Sequence, residues 1–201
     1  MSGAEFERRD RGNRSNGDEL IPRISSETVS TVLWEFRPVV TGNVDHLAAT
    51  STYLERIRRV NPIVVEYIEE VAGRSPEGLD PRYVALAGVF VYRLLELEFA
   101  RRGKEMPVVQ RDIADSLIVD IAPEERYFQE LAKPLVTEND LLLEVLLSSP
   151  IWTRPSIRKV PAKQQIRLLF ESALGVYALI QAQAKADRSS SLLFSQEEER
   201  S

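Results

Sequence analysis

The chain contains no cysteine and a single histidine. The first absence excludes disulfides, thiolate zinc sites, iron–sulfur clusters and cysteine nucleophiles. The second excludes centres built on several histidines. Among these are the paired Glu-x-x-His ligands of carboxylate-bridged di-iron bundles, since no Glu stands three residues before His46. A hydrolytic triad would need His46 as its base. Its neighbour Asp45 would project about 100° away on a helix and could not orient the ring. The nine glycines are scattered and form no phosphate-cradling loop and no Gly-x-Ser-x-Gly elbow. Long apolar runs are missing as well. The uncharged stretches Tyr83 to Tyr92 and Ser172 to Ala184 fall short of the roughly 20 residues a bilayer demands. The first 19 residues hold no apolar signal core, so a cytoplasmic protein without a membrane partner is expected.

What remains is a globular composition. Of 201 residues, 43% are hydrophobic and 28% charged, with a net charge of −5. A mildly acidic total argues against a surface given over to nucleic acid. Residues 1–25 mix Arg with Asp and Glu and have few apolar side chains, so a disordered tail is expected. Residues 188–201 are expected to form a flexible acidic tail interrupted by Leu192, Leu193 and Phe194, a patch suited to docking on a partner or folding back.

Between the tails, residues 26–187 read as one all-α domain of about seven to eight helices. Pro and Gly punctuate stretches of helical period. Thr28 to Phe36 places Val29, Val32, Leu33 and Phe36 at helical spacing, although its β-branched residues also suit a strand; helix is favoured, ending at Pro38. Asn43 is a plausible cap for a helix through Val60, with Leu47, Leu54 and Ile57 inward and Arg56, Arg58 and Arg59 outward. Asn61-Pro62 and Asp80-Pro81 both pair a capping side chain with proline at the first helical position. The helix after Pro81 is apolar on more than one face, which marks it as central, and it should leave at Gly103. Helices are expected at 108–119, 123–133 and 137–147, an extended connector at 149–161, and a final helix from Ala162 to Ala186.

Three groups of residues bear on function. Glu66, Glu69 and Glu70 share a helix face, as do Asp112 and Asp115, but each set is most simply the wet side of an amphipathic helix rather than a metal site. The run Val109-Gln110-Arg111-Asp112-Ile113-Ala114-Asp115-Ser116-Leu117 resembles the first helix of a helix-turn-helix. The pattern then departs. Ile118-Val119-Asp120 replaces the usual glycine turn, and Pro123-Glu124-Glu125-Arg126 is acidic where a recognition helix meets phosphates.

The third group is a basic strip. Between Val145 and Phe170 stand Arg154, Arg158, Lys159, Lys163 and Arg167, with Trp152 and three prolines and not one acid. Cations at the start of a helix oppose its dipole, and a bound anion would relieve that conflict. The competing reading is that these cations neutralise the chain's own acids at 66, 69, 70, 124 and 125. Trp152, Arg154, Arg158, Lys159, Lys163 and Arg167 are therefore the candidate partner- or anion-binding residues; no catalytic residue, metal ligand or cofactor is assigned. The expectation is a non-enzymatic helical adaptor or assembly protein that binds an acidic partner through residues 154–167, with a protein partner or a second copy of itself. The alternative is a DNA- or RNA-binding regulator using the same strip and the segment 109–126. An enzyme working only with carboxylate, Tyr and Arg groups between helices is a third reading.

Overall fold

The computed structural model describes residues 21–41, 46–120 and 162–198. Six helices fall within them and no strand: α1 (Ser26–Thr41), α2 (His46–Val60), α3 (Pro62–Gly73), α4 (Pro81–Arg101), α5 (Arg111–Asp120) and α6 (Ala162–Glu198). The expected helices at 123–133 and 137–147, the connector at 149–161 and the cap Asn43 lie outside the described residues.

Helix α4 is central, as its all-round apolar sequence implies. Val84, Val89, Phe90, Val91, Leu94 and Leu95 are fully buried. Both its ends follow from local chemistry. At the start, a turn closed by the Leu79 N–H on the Pro76 carbonyl places Gly78 at φ +92°, a conformation that favours glycine. Asp80 then caps the helix by accepting from the Arg82 N–H at 3.0 Å. At the end, Gly103 turns left-handed at φ +63°. The N–H groups of Gly103 and Lys104 bond the carbonyls of Ala100 and Phe99, a Schellman closure.

Helix α6 is a second central helix, which its sequence stripe understates. Beyond Leu169, Leu174, Tyr177 and Ile180, the residues between them are covered too, so every position from Glu171 to Ile180 is buried. It packs against α4 and α3 through small residues. A Cβ at Gly175 would overlap the Tyr67 phenol, whose hydroxyl donates to the Glu171 carbonyl. A Cβ at Gly88 would come within 2.7 Å of both Ile68 and Ser172. Glycine here provides close approach rather than unusual backbone angles.

Helix α1 buries Val29, Val32 and Phe36 on this core and leaves Trp34 72% exposed. Phe36 stacks on Tyr53 at 5.0 Å and meets Phe90 edge-on. The helix does not stop at Pro38 but runs through it to Thr41. Proline costs little here. It removes one bond, to the carbonyl of Trp34, and only the final turn follows it.

Arg93 of α4 ties the first two helices down. Its guanidinium binds both carboxylate oxygens of Glu35 at 2.8 Å and donates to Glu96 at 2.7 Å, and Glu96 also takes Arg56 of α2. The Arg93 hydrogen bonds hold the Glu35 carboxyl below its ordinary range, outweighing partial burial.

Three boundaries differ from the sequence expectation. Residues 21–25, assigned to the tail, are fixed in part: Ile21 and Ile24 are buried. The backbone N–H and hydroxyl of Ser25 both donate to Glu98, at 3.2 and 3.0 Å. Asn61 begins α3 but its side chain caps nothing there. Buried instead, it donates to the Pro107 carbonyl at 2.9 Å and accepts from the Val109 N–H at 3.1 Å. Finally, α6 continues past Ala186 to Glu198, across the segment expected to be a flexible tail. The serines at 189–191 bond carbonyls three or four residues back, which keeps their hydroxyls compatible with the helix.

Candidate anion-binding site

The first turn of α6 carries Lys163 and no acid. By contrast α1 and α5 place Glu27 and Asp112 in their first turns, where the free N–H groups favour negative charge. Arg167, four residues after Lys163 in sequence, is half-buried. Of the six candidates, Lys163 and Arg167 belong to α6. Trp152, Arg154, Arg158 and Lys159 lie outside the described residues, Lys159 standing three positions before the helix begins.

The acid nearest this strip in sequence is Glu171. Its side chain is 10% exposed and bonds Arg74 at 2.8 Å. Arg74 follows the last residue of α3, so that helix brings another cation beside the third turn of α6. The sequence strip did not include Arg74, because the two residues are 97 apart. A basic residue just after Gly73 is nevertheless a readable C-terminal signal, favoured by the helix dipole.

Most arginines of the helical body have acids of their own. Arg58 bonds Glu69 at 2.5 Å, and Arg111 bonds Glu66 at 2.5 Å. Arg101 pairs with Glu27, and Arg102 with Glu98 at 3.4 Å. Two of the five acids that could have neutralised the strip, Glu66 and Glu69, are therefore engaged by α5 and α2; Glu124 and Glu125 lie outside the described residues.

The helix-turn-helix-like segment forms α5, which buries Ala114 and partly buries Ile113 and Leu117. Its one basic residue is Arg111, already bonded to Glu66, while Asp112 and Asp115 are exposed. The would-be turn and second helix lie outside the described residues. The helix is instead docked by a buried amide, since the Gln110 N–H donates to Oε1 of Gln183 at 2.9 Å. Among the described residues no three His, Asp or Glu side chains converge as metal ligands, and no helix is long and apolar enough to cross a membrane.

Comparison with protein-family models, with curated proteins and with solved structures finds no match for this chain.

Proposed function

We propose that this chain is a non-enzymatic helical interaction protein that binds an acidic protein partner through the basic strip at 154–167. One observation carries the reading: three acids of the helical body are held by cations outside the strip. Arg111 takes Glu66, Arg58 takes Glu69 and Arg74 takes Glu171. Five cations between Val145 and Phe170 thus stand in a stretch without acids, ending at a helix start that itself attracts anions. Acidic protein is favoured over nucleic acid because α5 carries three Asp and a single Arg, and would repel phosphates alongside it.

The test is the double charge reversal Lys159→Glu with Lys163→Glu, measured against poly-glutamate and against a DNA duplex in parallel titrations. The wild-type protein should bind poly-glutamate more tightly than duplex at matched salt. The variant should lose about tenfold or more of that affinity, with a flatter salt dependence. Its melting temperature should stay within a few degrees. Unfolding of the variant would make the cations internal ion-pair partners and overturn the proposal; tighter binding to duplex would favour the nucleic-acid reading.

A further inference from the structure

Residues 104–110 link α4 to α5 outside any helix and pass the junction of α2 with α3. Asn61 holds them there. Its amide donates to the Pro107 carbonyl at 2.9 Å and accepts from the Val109 N–H at 3.1 Å. A carbonyl and the N–H two residues on point to one side where a chain is extended, which is how strands pair. Exposure alternates to match: Val108 and Gln110 are exposed, and Val109 between them is buried. Asn61 thus serves residues 107–109 as a neighbouring strand would.

The opposite edge is open. In an extended chain the N–H and carbonyl of one residue face away from those of its neighbours, so those of Val108 point away from Asn61. Neither has a hydrogen-bond partner among the described residues, and unpaired backbone groups of a folded protein are left to water. Proline at 107 removes no donor from this edge, because its nitrogen faces the side of Asn61. Apolar surface adjoins it. Among the described residues three large apolar side chains stand exposed, and Val60 and Val108 are two of them, at 57% and 52%. One amide separates the pair, since Val60 adjoins Asn61 in sequence and Val108 lies between its two backbone partners. The charge nearby leans positive. Arg59 and Lys104 are exposed with no acid partner among the described residues, against one unpaired acid, Glu105.

We propose that Val108 is a docking edge for an extended segment of a partner protein. The segment adds as a strand along residues 106–108, lays an aliphatic side chain on Val60 and Val108, and carries acids toward Arg59 and Lys104. Backbone pairing is what this edge offers; two valines alone present too little area to hold a folded surface. The edge is built from α2, α3 and the chain before α5, so the inference stands apart from the strip at 154–167.

The probe is the end-blocked, fluorescently labelled peptide Thr-Glu-Val-Thr-Val-Glu-Thr, titrated onto the full chain and followed by anisotropy, with backbone amide spectra recorded alongside. Binding should saturate at or below millimolar concentration, and the Val108 amide should shift and become protected from exchange. Val108→Pro deletes the one N–H concerned, which no contact of the fold uses. It should weaken binding about tenfold at an unchanged melting temperature. Backbone N-methylation of the three central peptide residues should cost as much with the protein untouched, so the outcome does not hang on the variant. Replacing both peptide Glu residues by Lys should weaken binding about fivefold at low salt. Lys159→Glu with Lys163→Glu should leave binding intact, which separates this edge from the basic strip. Absence of binding, or binding undiminished by Val108→Pro or by N-methylation, would overturn the proposal. So would a protein whose mass doubles in light scattering and returns to that of a monomer with Val108→Pro, because a second copy would then occupy the edge.

Discussion

Glu98 is a carboxylate 4% exposed, near the C-terminal end of the central helix. Burial alone would raise its pKa. Hydrogen bonds from Thr28 at 2.5 Å, from the backbone and hydroxyl of Ser25, and from Arg102 outweigh that cost and leave it below the ordinary carboxylate value. Because the folded carboxyl holds its proton less tightly than the unfolded one, it stabilises the fold above the ordinary Glu value of about 4.3. That contribution drains away as pH falls through the depressed folded value. Thr28→Val keeps the side-chain shape and removes one donor, so it should cost about 1–3 kcal/mol near neutrality. Thermal melts from about pH 7 down to about pH 3 should show the variant and wild type converging as Glu98 is protonated. A gap that stays constant with pH would mean that Thr28 acts by packing alone. Nothing in the local sequence marked Glu98. It sits in a Glu-Leu-Glu run that reads as the helix turning polar, and apart from Arg102 on the next turn its partners, Thr28 and Ser25, come from 70 and more residues away.

At the scale of elements, local signals placed most helices well. Asp80-Pro81, Asn61-Pro62, Gly103 and the start at Ala162 all fall where capping and backbone preferences put them. Those signals depend on neighbours within a turn, which is why they can be read from sequence. The misses concern what lies across the fold. Asn61 has the chemistry of a cap but spends both amide groups on residues 107 and 109, a tertiary use that its flanking residues do not encode. The all-round burial of α6 was hidden because Glu171, Ser172 and Gln183 break its apolar pattern, yet all three are buried. Of the candidate site, the expectation that Lys163 and Arg167 fall on one helix was legible in the sequence, while Arg74 was not, being supplied by α3. For α4, the sequence pattern and the structure agree: Leu94 is fully buried, and Leu94→Ala should destabilise by about 2–5 kcal/mol in chemical denaturation. A loss below about 1 kcal/mol would place the side chain in a site able to collapse around the change.

For the molecule as a whole, the segment before α1 belongs to the body. A chain beginning at residue 21 should melt within a few degrees of the full chain. One beginning at residue 26 loses Ile21, Ile24 and the Ser25 bonds to Glu98. It should melt markedly lower, since burying each isoleucine contributes about 1.5–3 kcal/mol; equal melting of the two truncations would return these residues to the tail. The two central helices also lie far apart along the chain. Gly88 of α4 faces Ser172 of α6 across a contact that a single methyl would close. Helices α1 to α4 can gather early through near neighbours, but the face that α4 reserves for α6 stays bare until residues 168–180 have been synthesised. Closing that long loop costs entropy before its contacts are made, so the high contact order of this one helix pair sets the pace of folding. Until α6 docks, the nascent chain exposes an apolar face of its central helix, and that interval is when it is most open to aggregation.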